Sequence, residues 1–73
     1  MARIEVESEV TGSVWKVEVE VGDSVSEGDV LIILESMKME IPVESPQGGS
    51  VAELLVKPED LVEEDQVVAI IEI

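Results

Sequence analysis

A chain of 73 residues without cysteine or histidine has room for one small domain, and it lacks the commonest general base, thiolate chemistry and most zinc-ligand sets. Eighteen acidic residues against four basic ones give a net charge of −14, a surface that repels nucleic-acid phosphates and anionic membranes, so no nucleic acid and no membrane is expected as a partner. The apolar residues are nearly all Val, Ile and Leu, with Trp15 the one aromatic, and β-branched enrichment predicts strands.

The start, Met1-Ala2-Arg3-Ile4-Glu5, has no signal-peptide core, and no run approaches the roughly 20 apolar residues of a membrane span. A cytoplasmic location is expected. Residues 3–10 alternate, with Ile4, Val6, Ser8 and Val10 on one face and Glu5, Glu7 and Glu9 on the other, the period of a half-buried strand. Thr11-Gly12-Ser13 reads as a turn. Residues 14–21 alternate again and predict Trp15, Val17, Val19 and Val21 inward, with Lys16, Glu18 and Glu20 outward. Gly22-Asp23 and Gly28-Asp29 are turn signals on either side of a short touch-down at Val25. Val30–Leu34 is a continuous apolar run of strand length, which predicts a strand covered on both faces.

The same rhythm then repeats. Glu40–Glu44 is a strand with Pro42 at an edge or bulge position. Ser45–Gly49 is a turn cluster, Val51–Lys57 a strand, Pro58-Glu59-Asp60 a turn, Val62 a second touch-down and Val67–Ile73 a closing strand. Sliding the chain by 37 positions lays residues 1–36 on 38–73 without a gap, and fourteen positions then match, among them Val6/Val43, Ser8/Ser45, Gly12/Gly49, Val14/Val51, Asp23/Asp60 and Val25/Val62. Residues 1–73 are therefore expected to form one domain built from two copies of a unit, 1–36 and 38–73. Six clear strands and two very short ones predict an all-β fold, an antiparallel sandwich or flattened barrel with a pseudo-two-fold axis.

Met37 falls in the joint between the copies. There the strands should meet in a hairpin, with Met37 and Lys38 as a two-residue loop between Ser36 and Met39, and with the chain ends at the opposite pole. Both loop residues of such a hairpin need positive φ, which favours Asn-Gly or Asp-Gly over Met-Lys. A local rule broken at one place points to function there. Lys38 is the lysine placed at an exposed tip; Lys16 and Lys57 are expected within strands. Met37 and Met39 flank it where a loop should be polar, and exposed methionines suit a surface that another protein grips. Glu35 and Glu40 stand outside them. A free lysine, with a pKa of about 10.4, is nearly all ammonium at neutral pH. A self-activated nucleophile needs burial or a cationic neighbour, and this surrounding of carboxylates provides neither. On the residues alone, a tip lysine of this kind is usually a solvated surface group, or else a substrate for an enzyme that supplies an activated acyl group, and the chain itself is not expected to be an enzyme.

Glu35-Ser36-Met37-Lys38-Met39-Glu40, followed by Ile41-Pro42-Val43 and preceded by Val21-Gly22-Asp23-Ser24-Val25 and Glu27-Gly28-Asp29-Val30-Leu31, resembles the biotinyl/lipoyl attachment domains, and most closely the biotin carboxyl carrier proteins. The resemblance spans essentially the whole chain. It implies the hammerhead, or barrel-sandwich hybrid: two four-stranded antiparallel sheets in a flattened barrel, with the modified lysine on an exposed hairpin. It implies that Lys38 is biotinylated by biotin protein ligase, that Met37 and Met39 are recognition residues, and that Glu35 and Glu40 flank the site. It also implies that biotin carries carboxylate from a biotin carboxylase to a carboxyltransferase acting on an acyl-CoA or keto-acid acceptor. Two alternatives stand beside it: a lipoyl carrier, whose tip is typically Asp-Lys-Ala, and an unmodified hammerhead serving as an interaction module. The second copy departs from the family in having Pro58-Glu59-Asp60 and Glu64-Asp65 where the first has the glycine turns Val21-Gly22-Asp23 and Gly28-Asp29, a departure that bears on the turn geometry of that half and not on the tip. With no insertion in the first half and no Ala/Pro-rich leader, the chain resembles the short free-standing carriers or an excised domain.

Overall fold

In the computed structural model, which describes residues 2–73, the alternation at the start of the chain becomes β1 (Arg3–Glu7). It is followed by β2 (Gly12–Val17), β3 (Ser24–Val25) and β4 (Val30–Ser36), then by β5 (Met39–Glu44), β6 (Gly49–Leu54), β7 (Leu61–Val62) and β8 (Val67–Glu72). One antiparallel sheet has the order β1-β8-β6-β3 and the other β5-β4-β2-β7. Adding 37 to the residue numbers carries β1, β2, β3 and β4 onto β5, β6, β7 and β8. It therefore carries the first sheet onto the second, strand for strand. Each sheet takes two strands from each half, so the copies interlock rather than sit side by side.

The core lies between the sheets. Val6, Val14, Leu31, Ile32 and Leu34 of the first half meet Val43, Val51, Val62, Val68, Ala69 and Ile71 of the second. Ser8 and Ser45 are buried at matching positions. Each hydroxyl donates to a carbonyl two residues on, Val10 and Gln47 respectively, at 2.6 Å. These are local serine turns that close the corner without leaving a buried polar group unpaired.

Where the structure departs from simple alternation, a bulge is the reason. Between Val14 and Lys16 the register of β2 against β4 slips by one residue, and the repeat places the same slip between Val51 and Glu53 in β6. The extra residue turns Val14 inward and leaves Trp15 45% exposed, so Trp15 is not the core residue that the alternation predicts. Val21 is exposed as well. A second pair of bulges, at Leu31 in β4 and Val68 in β8, sends two consecutive residues inward, Leu31-Ile32 and Val68-Ala69. These strands are thus covered fully on one face only, and Ile33 and Ile70 are half-buried on the other. Gly12 and Gly49 belong to strands rather than turns, and Lys57 lies beyond β6. Pro42 sits on β5, an edge strand, where a missing N–H breaks no inner ladder.

The hammer-like turns are kept in both halves. Gly22 and Gly28 have φ of 98° and 89°, and Glu59 and Asp65 at the matching positions hold 77° and 70°. Asp23, Asp29, Asp60 and Gln66 each accept a backbone N–H three residues back, at 2.8–3.0 Å. The turns also bond across the repeat: Gly22 N–H donates to the Val51 carbonyl and Glu59 N–H to the Val14 carbonyl, both at 2.8 Å. The molecule measures 37 × 19 × 18 Å. The β4–β5 hairpin forms one pole. Ala2 and Ile73 lie at the other, where Ile73 N–H donates to the Ala2 carbonyl at 2.9 Å.

Candidate functional site

The hairpin closes as its sequence position predicts. Ser36 pairs with Met39 and Glu35 with Glu40, leaving Met37 and Lys38 as the loop, with φ of 51° and 67°. Two consecutive left-handed residues match the twist of the flanking strands, but each side chain there works against about 1–2 kcal/mol of steric preference. Met37 is 92% exposed and Met39 60%, so neither thioether contributes to the core. Lys38 is exposed. Both ion pairs among the described residues belong to Arg3, with Glu53 and Glu72. The Lys38 ammonium is therefore held by no carboxylate among the described residues, although Glu35 and Glu40 face each other one residue row below.

The base of the hairpin is braced by residues that the sequence pattern did not single out. Ser36 Oγ donates to the Thr11 carbonyl at 2.9 Å, and Thr11 Oγ1 accepts the Glu64 backbone N–H at 3.2 Å. Gly12 lies against the Glu35 carbonyl, where an added Cβ would stand 2.7 Å from the oxygen. Its repeat mate Gly49 meets the Glu72 carbonyl in the same way, at 2.5 Å. Recurrence of glycine at one place in both copies was the available signal for this close approach. Thr11 had none, because Gly48 replaces it in the second copy.

Residues 3–71 match the family model for biotin and lipoyl attachment, described as "Biotin-requiring enzyme". The chain belongs to this biotin/lipoyl attachment family. Among individual biotin/lipoyl relatives, it is 42% identical to the biotinylated protein TB7.3 homolog of Mycobacterium leprae over 92% of this chain and 94% of that one. It is 44% identical to the biotin/lipoyl attachment protein of Bacillus subtilis over 85% of each. The crystal structure of the Kluyveromyces lactis urea carboxylase contains a stretch that superposes on 99% of this chain with a TM-score of 0.93 and 40% identity, and that stretch is 6% of the larger chain. The two four-stranded sheets are thus the family's barrel-sandwich, as the strand pattern and the motif both predict.

Lys38 places an amine at the apex of this tip. It offers a single amine on a two-residue loop, clear of the sheets. Near it stand carboxylates and thioethers but no group placed to abstract a proton.

Proposed function

We propose that this chain is the carrier of a biotin-dependent carboxylase and that biotin is attached at Lys38. One observation carries the reading: in a chain of this family, Lys38 stands exposed at the apex of a left-handed two-residue turn, between Met37 and Met39. The attachment is an amide. Within the active site of biotin protein ligase, the Lys38 ammonium would give up one proton and its Nζ attack the acyl carbon of biotinyl-AMP; the C–N bond would form as the bond to AMP breaks and a second proton leaves the nitrogen. Once attached, biotin supplies a group that takes carboxylate at an ATP-dependent biotin carboxylase and yields it at a carboxyltransferase with an acyl-CoA or keto-acid acceptor.

The chain's own residues have mechanical roles. The β4–β5 hairpin holds the amine away from the barrel. Met37 and Met39 present flexible apolar surface to each enzyme that engages the tip. Glu35 and Glu40 add charge on the strands beside it. The barrel keeps the cofactor tethered, so that its effective concentration at both active sites is set by geometry rather than by diffusion.

Intact mass after incubation with biotin, ATP and a biotin protein ligase tests the reading. The expected result is a gain of one biotin less one water, absent in Lys38→Arg, whose guanidinium keeps the charge but offers no acylatable amine. A gain only with a lipoate ligase assigns the chain to the lipoyl carriers, against which Met37 and Met39 argue. No gain with either ligase on folded protein leaves an interaction module.

A further inference from the structure

The pseudo-two-fold axis makes each sheet a control for the other, and their outer faces differ. On the β5-β4-β2-β7 sheet, Leu61, Ser13, Glu35 and Glu40 align as one row across the strands. Their neighbours Val62, Val14 and Leu34 are buried, so this row points outward. The next row away from the hairpin brings Ile33 between Lys16 and Pro42, with Trp15 extruded beside Lys16 by the bulge.

The matching rows of the other sheet read Ser24, Ser50, Glu72 and Arg3, then Ile70 between Glu53 and Glu5, with Ala52 in the bulge. Three positions there are small or polar, Ser24, Ala52 and Glu5, where the hairpin-side sheet has Leu61, Trp15 and Pro42. The Arg3 guanidinium also closes that face with Glu53 and Glu72 at 3.2 and 3.5 Å. On the hairpin-side face Leu61 is left 81% exposed. Trp15 keeps nearly half its surface in water although the Lys16 ammonium lies 5.2 Å from the ring centroid. Neither side chain contributes to the core, and large exposed apolar groups gathered beside a functional tip mark a contact surface.

We infer that this face, centred on Trp15 and Leu61, is the docking surface for the enzyme that acylates Lys38, and that the enzyme meets it with an apolar recess bordered by cationic side chains. The inference rests on the function proposed above. Acylation brings the partner's reacting centre to Nζ itself, one side-chain length from the hairpin backbone. The partner must then lie against the rows just below the tip. Enzymes that act later work at the far end of the biotin arm and need no such approach. Glu35 and Glu40 share the outermost row, and the chain's net charge of −14 favours a cationic border on the partner. An aromatic anchor beside an aliphatic one is the composition of an interface hot spot.

The test exchanges residues between the repeats. Trp15→Ala with Leu61→Ser installs what the other sheet already carries at those register positions. Biotinylation kinetics of full-length protein by a biotin protein ligase, at varied carrier concentration, should show KM raised about tenfold or more with kcat little changed. Melting should stay near wild type, and Glu53→Ala on the opposite face should leave KM unchanged. Wild-type KM should also rise with added salt.

An unchanged KM in the folded double variant overturns the inference, as does a fall in kcat alone. So does a defect confined to later carboxyl transfer with ligation intact, which assigns the face to another enzyme. A KM indifferent to salt overturns the cationic border. If the double variant melts early, Leu61→Ser alone is the decisive variant: an unchanged KM in that protein overturns the inference as well. Wild-type protein that takes up no biotin overturns the functional reading instead.

Discussion

Left-handed backbone at a side-chain-bearing residue is disfavoured by contact between Cβ and the following carbonyl, and this chain accepts it at Met37, Lys38, Glu59 and Asp65. At Glu59 and Asp65 the first repeat uses glycine for the same geometry, so nothing about the fold requires the side chains. Glu59→Gly and Asp65→Gly should each stabilise the protein by about 1 kcal/mol, read as a higher denaturation midpoint. The reverse change, Gly22→Ala, should lower it. At Met37 the same reasoning gives stability and function opposite signs. Met37→Asn should raise the midpoint, because Asn tolerates the left-handed region, while slowing ligation; a variant equally stable and equally well labelled would make Met37 an ordinary loop residue. The exposed Met-Lys pair was legible in the sequence because it violates a turn preference. The departure at Glu59 and Asp65 was visible too, but whether the turns survive it depends on Asp60 and Gln66 and on the bonds to Val14 and Ser8 from the other half. Those are tertiary facts.

The strands that carry the hairpin are held by irregularities as much as by alternation. Trp15 to Glu20 alternates cleanly in sequence, and the adjacent apolar pair Val14-Trp15 does not say which of the two faces inward. The slip is a property of the β2–β4 register, which is why Trp15 was expected inside and Val14 was not. Leu34, fully buried, should lose about 2–5 kcal/mol on truncation to alanine, whereas Trp15→Ala should leave the melting temperature nearly unchanged; thermal unfolding of the two variants side by side checks the bulge directly. Ser36 ties β4 to the chain before β2 through the Thr11 carbonyl. Ser36→Ala removes one partly exposed hydrogen bond, a loss of about 0.5–1.5 kcal/mol. It should raise the mobility of Met37–Met39 in NMR relaxation without altering the core. Unchanged relaxation at the tip would show that the turn alone keeps the hairpin rigid.

Over the whole molecule, the offset of 37 residues foretold the pseudo-two-fold axis but not the strand order. It did not foretell the interlocking, because a repeat is equally consistent with two halves that pack side by side. Here every sheet is assembled from both halves, and the turn bonds run from Gly22 to Val51 and from Glu59 to Val14. Residues 1–37 and 38–73 produced separately should each lack β-sheet signal by circular dichroism, and the intact chain should unfold in a single transition. A half that folds alone would contradict the topology.

The bond between Ile73 and Ala2 gives the molecule a polarity beyond its symmetry. Whatever is joined to either end of the chain, whether a bead, an electrode or another folded unit, hangs from the pole away from Lys38. Mounted by its ends, the barrel is a post some 37 Å long that holds its amine outward. Cargo at the base can be enlarged without crowding the tip, and a layer of such posts would present every Lys38 in the same direction.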